Sequence, residues 1–199
     1  MLRVITGDAR GRRLRSVEGT DTRPTTDRTK ESVFNAIQFD IEGRRVLDLF
    51  AGTGQLGIEA LSRGARDAVF IDSAAAAVRV VRENLNSVRY ETRAEVIQGD
   101  ARSVLSRFPE NRFGLIFLDP PYEAGLIGEA LRKIMERRLL CEGGLIVCET
   151  LKEETLPPCV NGFRTVREYV YGKSRITLLT RDAEVRKIRA QFKSAAGMK

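Results

Sequence analysis

The chain has 199 residues and a formal net charge of +7, and it contains no histidine, no tryptophan and only three cysteines. Without histidine, the sequence excludes a Ser–His–Asp or Cys–His nucleophile, an imidazole general base and a histidine metal ligand. This length fits one domain, or one domain with a small extension.

The three cysteines, Cys141, Cys148 and Cys159, are odd in number, and none belongs to a Cys-x-x-Cys pair. We therefore expect reduced thiols in a cytoplasmic protein, with no disulfide and no metal site. The N-terminus lacks the continuous apolar core of a signal peptide, and no stretch approaches the roughly 18 apolar residues of a membrane span. The sequence thus predicts no membrane partner.

The positive charge is concentrated at the two ends of the chain. Residues 1–15 carry a net charge of +4 and residues 163–199 carry +7, which leaves −4 on residues 16–162. Basic ends around an acidic middle are typical of a protein whose ends bind a polyanion such as nucleic acid. The alternative is that the charged termini only keep the protein soluble.

The chain begins with a predicted basic hairpin, in which RVIT and RRLRSV flank the turn-forming segment GDARG. We assign residues 1–22 to this N-terminal extension. The following segment, TRPTTDRTKESVFNAIQF, opens on a proline turn. It predicts a helix with Thr26 as its N-cap and with Val33, Phe34 and Ile37 on its apolar face.

From residue 45, apolar runs alternate with amphipathic segments. The runs are RRVLDLF, DAVFID, AEVIQGD, FGLIFLDPPY and GGLIVCE. The helices predicted between them are GQLGIEALSRG, SAAAAVRVVRENLNSV and the segments at about 101–107 and 125–139. This alternation indicates βαβ units and a parallel sheet. The segments FRTVREYVYG and KSRITLLTR then predict a closing antiparallel hairpin, so that the main domain spans 23–181.

The remaining residues, 182–199, form a basic C-terminal tail. A helix with Val185, Ile188 and Phe192 on one face is one interpretation of this segment. A frayed or disordered tail is the other.

Four successive apolar runs end at or next to an acidic residue. These residues are Asp48, Asp72, Asp100 and Asp119. Ligands of open α/β sheets bind in the crevice outside the carboxyl ends of the strands, so four such acids predict a shared ligand site. The alternative is that each aspartate only caps the helix that follows it.

The loop after the first strand matches G-x-G-x-x-G, and Asp72 follows its first glycine, Gly52, by 20 residues. A dinucleotide pyrophosphate would be repelled by Asp48 just before this loop. S-adenosylmethionine resolves the conflict, because it carries an ammonium, a sulfonium and ribose hydroxyls but no phosphate. Gly52 and Gly54 would permit close approach of its methionine part, Asp72 would accept from the ribose hydroxyls, and Asp100 from the adenine amine.

The segment Asp119-Pro120-Pro121-Tyr122 follows a buried strand directly. Two prolines fix φ and remove two N–H donors, so they hold the Asp119 carboxylate and the Pro120 carbonyl outward as a pair of acceptors. Tyr122 adds a flat ring beside them. Two acceptors and an aromatic ring suit a planar base that carries an exocyclic amine, although a rigid turn that only ends the strand is the alternative.

These motifs resemble those of class I S-adenosylmethionine-dependent methyltransferases that act on exocyclic amines. The opening RVITGDARGRRL, the segment TRPTTDRTKESVFN and the late YGKSRITLL resemble, more narrowly, the bacterial small-subunit rRNA (guanine-N2-)-methyltransferases of the RsmD type, over roughly residues 2–181. The resemblance implies an α/β, Rossmann-like fold with a mostly parallel seven-stranded sheet, an antiparallel hairpin at its end and helices on both faces.

The resemblance and the motifs together give the expected site residues. The catalytic set is Asp119, Pro120, Pro121 and Tyr122. The set for S-adenosyl-L-methionine is Thr25, Thr26, Asn35, Asp48, Phe50, Gly52, Thr53, Gly54, Asp72, Ser73, Asp100 and Ala101. The set for RNA is Arg10, Arg12, Arg13 and Arg23. We expect a monomer whose partner is small-subunit ribosomal RNA, within a ribosomal particle that contains ribosomal proteins.

The expected reaction moves a methyl group from the sulfonium to the N2 amine of a guanine, which Asp119 and Pro120 orient and on which Tyr122 stacks after base flipping. The leaving group is a neutral thioether, so the reaction needs no imidazole. Two alternatives remain open at this point: a DNA adenine-N6 methyltransferase with the same fold, and a non-catalytic RNA-binding ribosome assembly factor. A nicotinamide dehydrogenase is disfavoured by the position of Asp48.

Overall fold

The fold is that of a computed structural model that describes residues 2–17, 27–121 and 125–196. In those residues, one sheet contains eight strands, in the order β3-β2-β1-β4-β5-β8-β7-β6. The strands are β1 (Arg45–Asp48), β2 (Asp67–Asp72), β3 (Ala94–Gln98), β4 (Phe113–Leu118), β5 (Leu140–Leu151), β6 (Cys159–Val160), β7 (Phe163–Tyr171) and β8 (Ser174–Arg181).

The predicted α/β fold is confirmed, including the mostly parallel sheet and the closing hairpin. Strands β1 to β5 pair in parallel, and β8 lies antiparallel between β5 and β7. The sheet has eight strands rather than the seven predicted, because Cys159 and Val160 pair with Arg164 and Phe163. A strand of two residues is too short to produce an apolar pattern in the sequence.

The order of the strands reverses at β1, which has β2 on one side and β4 on the other. In open α/β sheets, such a reversal leaves a crevice at the carboxyl ends of the two central strands. The described helices are α1 (Asp27–Ala36), α2 (Gln55–Ser62), α3 (Ala75–Val88), α4 (Ala101–Val104), α5 (Leu126–Glu136) and α6 (Val185–Ala196). None of these helices is long and apolar enough to cross a membrane.

The helices cover both faces of the sheet, as predicted. Successive residues of a strand point to opposite faces, so neighbouring residues belong to different cores. Val46 of β1 belongs to one apolar core, together with residues of α1, α2, α3 and α6. Leu47, the next residue, belongs to a second core with residues of α4, α5 and the segment around Phe108. Both cores are closed to solvent, so the carboxyl ends of the strands are left for function.

Residues 2–15, here called the arm, precede α1 in the sequence and fold back on themselves. The amide of Val4 donates to the carbonyl of Arg12 at 2.9 Å, and the amide of Leu14 donates to the carbonyl of Leu2 at 2.9 Å. This pairing is that of the predicted hairpin. Its β-bridge is an isolated one between Arg3 and Arg13, and it lies outside the named strands. The predicted boundary of this extension at residue 22 lies outside the described residues.

The arm is held in place by its apolar side chains, since Leu2, Val4, Ala9 and Leu14 are buried in the same core as α1 and α2. At the other end of the chain, Val185 and Ile188 are buried and Phe192 packs against the same core. Of the two interpretations of the tail, the structure therefore has the helix. The apolar stripe docks α6 against β7 and β8.

The three cysteines are free thiols, as predicted. Cys148 is fully buried in β5, and this burial raises the pKa of its thiol far above the ordinary value. Cys141 is half-buried and Cys159 is exposed.

Candidate active site

The four predicted acids lie at one edge of the sheet. Asp48 and Asp72 are the last residues of β1 and β2, Asp119 directly follows β4, and Asp100 comes two residues after β3. These four strands are parallel neighbours, so their carboxyl ends meet at the same edge. The structure thus brings the acids of the sequence pattern together around the topological switch point.

Asp48 is the most enclosed of these acids, and its side chain lies beneath the glycine-rich loop. Its Oδ2 accepts a hydrogen bond from the amide of Gly57 at 2.9 Å. Burial raises the pKa of Asp48 to about 7, the hydrogen bond from Gly57 opposes this shift, and the nearby charge of Asp72 adds to it. Near neutral pH, Asp48 is therefore poised between its protonated and ionised forms, and a cation bound beside it would favour the ionised form.

Asp72 fixes the backbone of the glycine-rich loop. Its Oδ2 accepts from the amide of Gly52 at 2.8 Å, and its Oδ1 accepts from the amide of Ala74 at 2.9 Å. An ionised carboxylate has about four acceptor positions, so two of them still suit hydroxyl donors. Asp72 can therefore hold the loop and a ligand at the same time.

The three glycines of the G-x-G-x-x-G loop have different roles. Gly52 and Gly54 adopt φ of 54° and 76°, a conformation that disfavours any side chain. A Cβ on Gly57 would lie 2.3 Å from the ring of Phe70, so this glycine permits close packing of α2 on β2. A Cβ on Gly52 would meet no atom closer than 4.0 Å, and the backbone there faces open space. The loop residues Phe50 and Thr53 are half-buried.

Asp119 shares its surroundings with Glu149, an acid near the carboxyl end of β5 that the sequence reasoning missed. Burial raises the pKa of Asp119 well above its ordinary value, and the charges of Glu149 and Asp48 raise it further. The two carboxyl groups line a small cavity together with Lys30, Val33, Leu56, Phe117, Leu118, Val147 and Ile176. Glu149 ends the apolar run GGLIVCE, so the pattern that identified the other four acids also marks this one.

Some expected site residues lie elsewhere or outside the described part of the chain. Thr25, Thr26, Arg23 and Tyr122 belong to segments that the structure does not describe. Pro120 is buried and Pro121 is exposed beside Asp119. Asn35 is exposed on α1, Ser73 and Asp100 are exposed just after β2 and β3, and Ala101 is half-buried at the start of α4. Arg10, Arg12 and Arg13 are exposed on the arm.

A buried carboxylate on α2 fixes the arm to the domain. Glu59 is 0% exposed, and its carboxylate accepts from the amides of Ile5 and Thr6 at 2.7 and 3.0 Å. It also accepts from Nε of Arg63 at 2.9 Å and lies 3.7 Å from Nζ of Lys30, which is itself 0% exposed. This cluster connects the arm, α1 and α2, and no pattern in the sequence predicted it.

The next turn of α2 makes a second contact with the arm. The hydroxyl of Ser62 donates to the carbonyl of Thr6 at 2.6 Å and accepts from the amide of Ala9 at 3.0 Å. Between them, Gly7 has φ of 90°, and a Cβ there would lie 1.8 Å from the carbonyl oxygen of Ser62. Glycine is therefore required for the arm to reach α2.

The end of the arm is tied to the glycine-rich loop by one buried side chain of α3. Oδ1 of Asn84 accepts from the amide of Arg15 at 2.7 Å, and Nδ2 donates to the carbonyl of Arg15 at 3.1 Å. Nδ2 also donates to the carbonyl of Thr53 at 2.9 Å. The arm and the loop are thus positioned by the same amide group.

Comparison with known proteins agrees with this geometry. The chain is 42% identical over 179 residues to YlbH of Bacillus subtilis (strain 168), covering 89% of this chain and 97% of that protein. It is 35% identical over 185 residues to the Ribosomal RNA small subunit methyltransferase D of Escherichia coli (strain K12), covering 92% and 91% of the two chains. The solved structure of yhhF from Escherichia coli superposes with a TM-score of 0.78 at 35% identity, covering 90% and 97%.

The model of one protein family, described as Conserved hypothetical protein 95, matches residues 2–180. This match includes the arm, the glycine-rich loop and the Asp119-Pro120-Pro121 segment, and it ends before α6. The chain therefore belongs to the Conserved hypothetical protein 95 family, the RsmD-type family that its sequence motifs resemble.

Proposed function

We propose that this protein is an rRNA methyltransferase that moves a methyl group from S-adenosylmethionine to the exocyclic N2 amine of a guanine in small-subunit ribosomal RNA. The name of the Escherichia coli relative supports the enzyme class and the RNA. The observation that carries the proposal is the position of Asp119 and Pro120, which follow β4 directly at the edge where the other acids gather.

The residues of the crevice fit S-adenosylmethionine. Asp48, Asp72 and Asp100 supply carboxylates at the ends of three adjacent strands, which suits an ammonium, two ribose hydroxyls and an adenine amine in turn. The open space over Gly52 allows a ligand to approach the backbone. The same carboxylates would repel a pyrophosphate, so the donor set favours a cationic ligand.

Bound S-adenosylmethionine supplies an electrophilic methyl group with a neutral leaving group. Asp119 and the carbonyl of Pro120 accept hydrogen bonds from the target amine and turn its lone pair toward that methyl group. The raised pKa of Asp119 makes its carboxylate a better acceptor for the proton that the methylated amine loses. Tyr122 stacks on the flipped base, a contact worth about 1–3 kcal/mol.

Affinity for S-adenosylmethionine should fall as the pH is lowered through about 7. The pKa of Asp48 is raised to about 7, and a bound ammonium favours its ionised form, so binding must release a proton at lower pH. We expect Kd to rise roughly tenfold between pH 8 and pH 6, the change that one such coupled proton produces. Calorimetric titration measures this directly. In Asp48→Asn, binding should be weaker at pH 8 and should lose this dependence, and an unchanged profile in that variant would assign the effect to another group.

The exposed arginines of the arm are proposed to contact RNA phosphates. Replacing Arg12 and Arg13 by alanine should weaken RNA binding and flatten its dependence on salt, by roughly 0.7–0.9 in the log–log slope for each phosphate that is no longer neutralised. Fluorescence anisotropy at several salt concentrations gives both values. The matched control is Arg132→Ala, since Arg132 is an exposed arginine of α5 that pairs with Glu136. A slope as steep as that of the wild type would assign Arg12 and Arg13 to the fold.

Mass mapping of modified nucleosides tests the function as a whole. Small-subunit ribosomal RNA from cells that lack the protein should lose one N2-methylguanine, and expression of the wild-type chain should restore it. Purified protein with a radiolabelled methyl donor should then label ribosomal particles or free ribosomal RNA, which identifies the substrate form. Labelling of duplex DNA instead would make the enzyme an adenine methyltransferase, and no labelling would favour a non-catalytic assembly factor.

A further inference from the structure

One face of β7 carries a column of planar side chains. Arg167, Tyr169 and Tyr171 occupy alternate positions of the strand, and the two tyrosine rings are nearly parallel, with centroids 6.1 Å apart and 12° between their planes. The guanidinium of Arg167 lies 5.5 Å from the centroid of Tyr169 and 6.0 Å from that of Phe192. Both tyrosines are half-buried, and they pack against the apolar core that contains Ile176.

This column, here called the tyrosine column, ends at the same edge of the sheet as the candidate active site. β7 runs parallel to β4 and β5, because β7 and β5 are both antiparallel to β8. In the register of the sheet, Glu149 pairs with Ile176 and Ile176 pairs with Tyr169. Ile176 also lines the small cavity beside Asp119, so the column and the cavity belong to one face.

The distance between Asp119 and the tyrosine column indicates which base the column can bind. Asp119 follows β4, and three strand spacings of about 4.8 Å separate β4 from β7, which places the column roughly 14 Å from the reacting centre. A base at that distance is not the target.

The charge around the tyrosine column suits a nucleic acid. Helix α6, which packs beside β7, contains four basic residues and no acidic one. Two of these basic residues already have partners near the amino ends of β7 and β5: Arg189 donates to the carbonyl of Thr165 at 2.9 Å, and Lys187 forms an ion pair with Glu142 at 3.4 Å. The cation beside the tyrosine rings is Arg167. Aromatic rings flanked by basic side chains are the usual means by which proteins bind single-stranded nucleic acids.

We propose that Tyr169 and Tyr171 stack on an unpaired base of the RNA strand next to the target guanine, with Arg167 beside the phosphate backbone. This inference rests on the proposed function, since it requires an RNA substrate. It assigns a binding role to β7.

Paired substitutions at the two tyrosines test the proposal. Changing both Tyr169 and Tyr171 to leucine keeps an apolar side chain but removes the stacking surface, and we expect Kd for small-subunit ribosomal RNA to rise by roughly 10- to 100-fold. Changing both to phenylalanine keeps the rings and should leave Kd near that of the wild type. Unchanged binding of S-adenosylmethionine and unchanged thermal unfolding show that each variant is folded. Tyr171→Leu alone, next to the turn at Gly172, replaces the double variant if that variant does not fold.

Intrinsic fluorescence gives a second measurement, because the chain has four tyrosines and no tryptophan. RNA should quench tyrosine emission in the wild type. The double variant with Tyr169→Phe and Tyr171→Phe should still bind RNA but should lose the share of the quenching that these two tyrosines contribute. A leucine variant that binds RNA as tightly as an active wild type would overturn this inference and leave the proposed function intact. A wild-type protein that neither binds nor methylates ribosomal RNA would overturn both.

Discussion

Asp119→Ala is expected to reduce methyl transfer by roughly 10³-fold or more, because the variant loses the group proposed both to orient the amine and to accept its proton. Binding of S-adenosylmethionine should change little, since the residues proposed to hold it lie at the ends of β1, β2 and β3. Single-turnover assays with a radiolabelled methyl donor measure the first quantity, and calorimetric titration measures the second. Activity near that of the wild type would remove Asp119 from the reaction.

The variant Asp119→Asn distinguishes a loss of catalysis from a loss of structure. The pKa of Asp119 is raised in the folded protein, so stability falls as the pH rises above the ordinary value of 3.8, and the loss is complete once the pH exceeds the folded pKa. Asparagine carries no charge, and we therefore expect this variant to melt at a higher temperature than the wild type at pH 8. The difference should shrink in acid, where the aspartate is protonated. An inactive variant that is also more stable has lost catalysis rather than structure.

Glu59→Ala is expected to lower the free energy of unfolding by about 3–5 kcal/mol, because it removes a buried carboxylate that pairs with the buried ammonium of Lys30. The variant also removes the acceptor for the amides of Ile5 and Thr6, so the arm should be released from α2. Urea unfolding measures the stability. Limited proteolysis within the arm measures its release.

Glu83→Ala is the matched control for this prediction. Glu83 pairs with Arg15 at 3.0 Å, but both side chains are exposed, at 39% and 76%, so this ion pair is worth about 0–1 kcal/mol. The two variants remove the same residue type, and the ion pairs that they remove differ in burial. If Glu59→Ala costs no more than Glu83→Ala, the cluster around Glu59 does not hold the arm.

The sequence predicts those parts of the fold and site that depend on local patterns. The positions of Asp48, Asp72 and Asp119 are predicted by apolar runs that end in a polar residue. The closing hairpin is predicted because the alternation of apolar runs and amphipathic segments stops after Glu149. Glu149 ends the apolar run GGLIVCE and fits the same pattern, but it was missed.

Contacts between distant parts of the chain could not be predicted in this way. Lys30 and Glu59 are 29 positions apart, and each lies in an amphipathic helix where a charged residue is normally exposed. The docking of the arm over α1 and α2 helps to make their burial favourable, since it supplies backbone partners for both. The two-residue strand β6 was missed for a related reason, because its pairing is decided by the turn before β7 and not by its own sequence.

The contact at Gly7 has a consequence for the energetics of RNA recognition. Next to Gly7, the amide of Asp8 donates to the carbonyl of Ser62 at 3.0 Å, so the backbone that carries the arginines of the arm is fixed to α2 without RNA. A flexible basic segment must give up conformational entropy when it binds, which weakens its affinity for a given number of contacts. If the arm binds RNA as proposed, a preorganised arm gives up mainly the freedom of its side chains, so each arginine contributes more to affinity than it would in a flexible segment.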